Sequence, residues 1–147
     1  MLKKMHRLIC FLLSLVLVSL VGVHAHAADP RASDYLHAYT AYGYDYGGGH
    51  ISVWYEVMGV ETMDEIGALT IRLQEQTPGS STWTTIETYL HTENPDMLSY
   101  VDLFFAGHVD YYGARSGYSY RAYVTIWAGK NGGGDSRVIL TPVFTAA

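Results

Sequence analysis

The chemically capable side chains of this 147-residue chain are its histidines, its carboxylates and its tyrosines. His37, His50, His91 and His108 lack the i, i+4 spacing that puts two imidazoles on one helix face, and no His-Glu-x-x-His occurs. His108-x-Asp110 sets two side chains on one face of a strand, too few donors for a metal, so His108 is read as closing a strand beside a turn and no metal is expected. Glu93-Asn94-x-Asp96 and the Asn131, Asp135 pair offer the loop oxygens that calcium prefers, but turns use Asn and Asp for backbone reasons alone. No Gly-x-Ser-x-Gly elbow presents a serine nucleophile. Glu56, Glu75 and Glu87 are the carboxylates a glycoside hydrolase could pair, and all three are read on the solvent side of their strands. No catalytic residue and no cofactor is assigned.

Tyrosine is the compositional anomaly, at 13 residues. Tyr44 and Tyr46, with Tyr42, share one strand phase and run into Gly47-Gly48-Gly49. Tyr111 and Tyr112 are placed in a loop beside Asp110 and Gly113, and Tyr123 and Trp127 take the phase opposite the aliphatic residues of their strand. Aromatic cross-strand pairs can simply cover a sheet. They also supply rigid contact area at low entropy cost, on which sugars stack and peptides lie. Tyr44, Tyr46, Tyr111, Tyr112, Tyr123 and Trp127 are therefore the candidate binding residues, for a carbohydrate or a protein ligand.

The elements that carry these residues begin after a targeting segment. Lys3, Lys4 and Arg7 precede an apolar run from Leu8 to Val23 and then Ala25-His26-Ala27, the order of a secretory signal with a small-x-small cleavage site. A retained N-terminal anchor is the alternative, but the run is short for a membrane span. Residues 1–27 are expected to be a cleaved signal helix and residues 28–147 a single secreted domain. Cys10, the one cysteine, lies within the signal, which excludes disulfides and thiol chemistry from the mature chain. Loss of the three basic residues leaves six against fourteen acidic ones, a net charge of −8. That balance excludes a generic nucleic-acid binder and disfavours anionic glycans and lipid surfaces. No later run is apolar enough to cross a membrane, and the chain leaves the oligomeric state open.

Alternation and turn residues predict an all-β domain. Ile51, Val53, Tyr55 and Val57 alternate with Ser52, Trp54 and Glu56; Leu69, Ile71 and Leu73 alternate with Thr70, Arg72 and Gln74; Tyr120, Ala122, Val124 and Ile126 alternate with Arg121, Tyr123, Thr125 and Trp127. A Tyr-rich strand over 35–46, strands over 82–90 and 98–106, the second expected to be central, and a closing strand over 138–144 bring the count to about seven. That is the number of an immunoglobulin-like antiparallel β-sandwich. Thr62-Met63-Asp64-Glu65 fits a capping box, predicting one helical turn stopped by Gly67.

The run Gly117–Gly129, a Gly-rich turn and Asp135-Ser136-Arg137 resemble the last two strands of fibronectin type III domains. The Thr62–Gly67 turn and the Trp127–Arg137 hairpin are similar to a family of short secreted proteins of unassigned function from clostridial-type bacteria. The resemblance implies secretion and a compact β domain, and it carries over no catalytic residue. The expected role is non-catalytic binding at an aromatic surface; a small carboxylate-dependent hydrolase and a bacteriocin-like factor are the alternatives. The absence of a basic amphipathic helix speaks against membrane attack by that route.

Overall fold

The computed structural model describes residues 33–147. The signal segment and its cleavage site lie outside the described residues. The remainder is all-β: β1 (Leu36–Gly47), β2 (His50–Gln76), β3 (Thr84–Leu90), β4 (Leu98–Tyr111), β5 (Ser119–Lys130), β6 (Gly133–Leu140) and β7 (Phe144–Thr145), with one 3-10 turn at Pro95–Met97 before β4. All seven strands belong to one antiparallel sheet, curled into a half-barrel.

The organising element is β2, which joins two stretches read separately in the sequence. The Thr62–Glu65 segment is extended rather than helical, because Met63 is driven into the core while the chain bulges between Met58 and Met63. The N-terminal half of β2 pairs with β1 on one edge and β4 on the other; its C-terminal half pairs with β5 and β3. The curl brings β1 against β7, where the ring of Phe144 occupies the space a side chain on Gly43 would fill.

Alternation sets the core. Ile51, Val53, Tyr55 and Val57 from β2 and Tyr120, Ala122, Val124 and Ile126 from β5 are buried, as their phase predicts. A second β2 bulge between Ala68 and Thr70 leaves Leu69 only half-buried, and Ala68 and Ile71 take the inward positions. Within the core the Tyr55 hydroxyl donates to the Met97 carbonyl at 2.9 Å, tying β2 to the 3-10 turn. Burial, reinforced by the charge of Asp96, raises the Tyr55 phenol well above its ordinary value.

Two further expectations are corrected. β4 is an edge strand and not a central one: it pairs with β2 alone and exposes Tyr100, Val101, Leu103 and Phe104. The closing strand is split into β6 and β7, and the hairpin before β6 turns on Asn131 and Gly132, both at positive φ. Gly133 and Gly134 belong to β6 itself.

Candidate binding face

Register across β1, β2 and β4 builds the outer face of the N-terminal half. Three cross-strand rows run Tyr42–Trp54–His108, Tyr44–Ser52–Asp110 and, at the hairpin end, Tyr46–His50–Tyr112. In β1 the inward phase is taken by Ala41, Gly43 and Asp45, so Tyr42, Tyr44 and Tyr46 between and beside them are turned outward. Tyr44, Tyr46 and Tyr112 are 54%, 51% and 73% exposed.

The rings form a continuous stack. Tyr44 and Tyr46 are 4.7 Å apart and tilted; the His50 imidazole lies flat between Tyr46 at 4.7 Å and Tyr112 at 4.4 Å. One row away, His108 stacks on Trp54 at 4.3 Å. Offset stacking of this kind fixes ring orientation and adds about 0.5–1.5 kcal/mol per pair beyond burial.

Asp110 sits at the centre. His50 Nε2 approaches Oδ1 at 3.0 Å, His108 Nε2 approaches Oδ2 at 3.6 Å, and the Ser52 hydroxyl donates to Oδ1. Partial burial pushes the Asp110 carboxyl up, but the hydrogen bonds from Ser52 and His50 and the positive potential of both imidazoles outweigh it and hold its pKa below the ordinary carboxylate value. On the far side the Tyr89 hydroxyl donates to the Asp110 carbonyl at 2.8 Å.

This arrangement differs from a hydrolytic triad. There the imidazole bridges serine and carboxylate; here the carboxylate bridges serine and imidazole, so Ser52 has no imidazole in contact to take its proton. Nor, among the described residues, does any group of three His, Cys, Asp or Glu surround a common point where a metal ion could sit. The face offers stacked rings with hydrogen-bonding groups set among them.

Of the six candidate residues, Tyr44, Tyr46 and Tyr112 meet on this face. Tyr111 is not in a loop: it ends β4 and turns inward against the core. Tyr123 lies on the outer side of β5, where Arg72 and Arg121 approach its ring. Trp127 is seated over Gly129 and Gly134, in the room left by their missing side chains, with its indole N–H buried and without a partner among the described residues. Sequence reasoning missed His50, Trp54 and the way His108 and Asp110 join them. Only the outward phase of Trp54 and the i, i+2 spacing of His108 and Asp110 signalled it. His108 stands within β4, three residues before its end.

The carboxylates separate. Glu56 lies on the outer face between Thr40 and Ala106 in register, and Glu87 is exposed on β3. Glu75, in the same phase as Ile71 and Leu73, is turned inward and 7% exposed, which corrects its solvent-facing reading. Arg115 binds its carboxylate through both Nε and Nη2, and the Tyr120 hydroxyl donates to Oε2 at 2.8 Å. The loop residues weighed for calcium serve the backbone: Asn94 donates twice to the Leu90 carbonyl, Asn131 N–H donates to Asp64, and Asp135 pairs with Arg137.

No protein-family model matches this chain, and no curated protein matches it.

Proposed function

We propose that the chain is exported, is freed of residues 1–27, and acts as a non-catalytic β domain that binds a carbohydrate across the outer face of β1, β2 and β4. The observation that carries this reading is the four-ring stack of Tyr44, Tyr46, His50 and Tyr112 beside the Asp110 carboxylate. Pyranose rings present an apolar C–H face that stacks on such rings, and their hydroxyls donate to a carboxylate, the pairing of apolar wall and few polar groups typical of small-molecule sites. An open outer sheet face suits a chain lying across strands better than a buried monomer. On this reading the two halves of the curled sheet act as the layers of an immunoglobulin-like sandwich, with β2 passing from one layer to the other, and the resemblance to clostridial-type secreted proteins is one of family.

A glycan array and affinity electrophoresis in soluble polysaccharides test the reading. Tyr112→Ala and Tyr44→Ala should each weaken retention about tenfold, the loss expected for a central aromatic contact, with an unchanged melting temperature. Retention equal to that of the parent in both variants would overturn it. Mass spectrometry of the exported protein should find Ala28 at its N-terminus.

A further inference from the structure

The outer face of the other half of the sheet carries a different chemistry. Arg72 on β2 and Arg121 on β5 stand diagonally across the strand pair, since Arg72 is opposite Tyr123 and Arg121 is opposite Gln74. Both guanidiniums approach the Tyr123 ring, at 5.4 and 5.6 Å, and Arg121 also lies 4.2 Å over Trp83 while donating through Nε to Gln74 at 2.9 Å. Tyr123 thus takes contacts from two like charges.

The surroundings make this arrangement unusual. Residues 33–147 hold thirteen carboxylate side chains and five Lys or Arg. Lys130, Arg115 and Arg137 are each paired with a carboxylate. Among the described residues Arg72 and Arg121 have no such partner, although acidic groups outnumber them several-fold. Like charges on neighbouring strands repel, and this pair gains from an anion placed between them.

We infer that Arg72 and Arg121, held by Tyr123 and Trp83, form an oxyanion-binding site for one isolated carboxylate or sulfate group on a glycan. The ligand class rests on the proposed function, and the site is a local exception to the disfavour that the overall negative charge sets on anionic glycans. Guanidiniums bind two oxygens of a carboxylate or of a tetrahedral oxyanion bidentately, and the rings pre-set their orientation. Thr70, Thr88 and Thr125 lie in the adjoining register positions and add hydroxyls to this face. The excess of carboxylates elsewhere selects a ligand with isolated charges, because a polyanion with closely spaced phosphates would be repelled along its length. The site is separate from the aromatic face and does not depend on it.

The test is titration of the purified protein with galacturonate, with its uncharged methyl ester and with galactose 6-sulfate, followed by NMR of the arginine Nε–H signals and by calorimetry. At least one acidic probe should shift the Arg72 and Arg121 signals while the ester leaves them in place. Arg72→Gln, on an exposed side chain, and Arg121→Gln should each weaken that binding about tenfold or more, and Tyr112→Ala should retain it. A carboxylate or a sulfate source is read from which probe binds. Equal binding of ester and acid, unmoved arginine signals with both acidic probes, loss of binding in Tyr112→Ala, or tighter binding of a DNA oligonucleotide would overturn the inference.

Discussion

Replacing Tyr120 with Phe removes one oxygen from the point where β2, β5 and the loop before β5 meet. The Tyr120 hydroxyl, on a side chain with no exposed surface, donates to Glu75 Oε2 at 2.8 Å and accepts from the Arg115 backbone N–H at 2.8 Å. The first bond ends on a charged acceptor and contributes about 1.5–3 kcal/mol, and the second, between neutral groups, about 0.5–1.5 kcal/mol. Glu75 keeps its two contacts with Arg115, so the lower half of that range applies, and a loss of about 2–3 kcal/mol is expected near neutral pH. Urea unfolding followed by tryptophan fluorescence should show an earlier midpoint with an unchanged slope. The alkaline limb gives an independent check. Burial, with the nearby Glu75 charge, pushes the Tyr120 phenol up to about 12, and burial with Glu87 does the same for Tyr89. A phenol with a raised folded-state pKa contributes stability that is complete below its ordinary value of 10 and is lost as pH rises toward 12. Unfolding of the parent should therefore release roughly three protons in that window, from Tyr55, Tyr89 and Tyr120, and unfolding of the variant roughly two. A neutral-pH loss under about 0.5 kcal/mol, or an alkaline limb as steep as that of the parent, would refute the reasoning.

Gly43→Val should destabilise by about 1–3 kcal/mol through overpacking against Phe144, and combining it with Phe144→Ala should recover part of the loss in the same melts. Val101→Asn should stabilise by about 0.5–1 kcal/mol, since Val101 holds a φ of 59° while 73% exposed and Asn tolerates that conformation better. Asp110 contributes stability that is present above its unfolded pKa and lost as pH falls through its lowered folded value. Asp110→Asn should flatten stability below about pH 4, checked by acid titration of ellipticity, and should also weaken glycan retention.

The parts legible in the sequence were those that depend on one strand at a time. The alternations at Ile51–Val57 and Tyr120–Ile126 place core and surface correctly because burial enforces period two. The outward turn of Tyr42, Tyr44 and Tyr46 follows from the small residues between them. What depends on pairing was hidden. His50, Trp54, His108 and Asp110 meet only because Ser52 is in register with Asp110, residues far apart in the chain. The capping-box reading of Thr62–Glu65 failed because Met63 had a core position to fill, and tertiary burial overrides a local cap. Glu75 reads as solvent-facing by residue type although it shares the inward phase of Ile71 and Leu73, and its contacts with Arg115 and Tyr120, forty and forty-five positions away, satisfy the buried carboxylate.

The length of β2 has a consequence for how the molecule opens. Over most of its course both of its edges are hydrogen-bonded, to β1 and β4 at one end and to β5 and β3 at the other. No partner strand can peel away to leave a second, intact core behind, so the domain is expected to behave as one foldon. The amides of β2 should exchange with solvent only when the whole chain unfolds. Its pairings with β4 and β5 join distant stretches of sequence, which places folding in the slow, millisecond-to-second class of non-local β proteins.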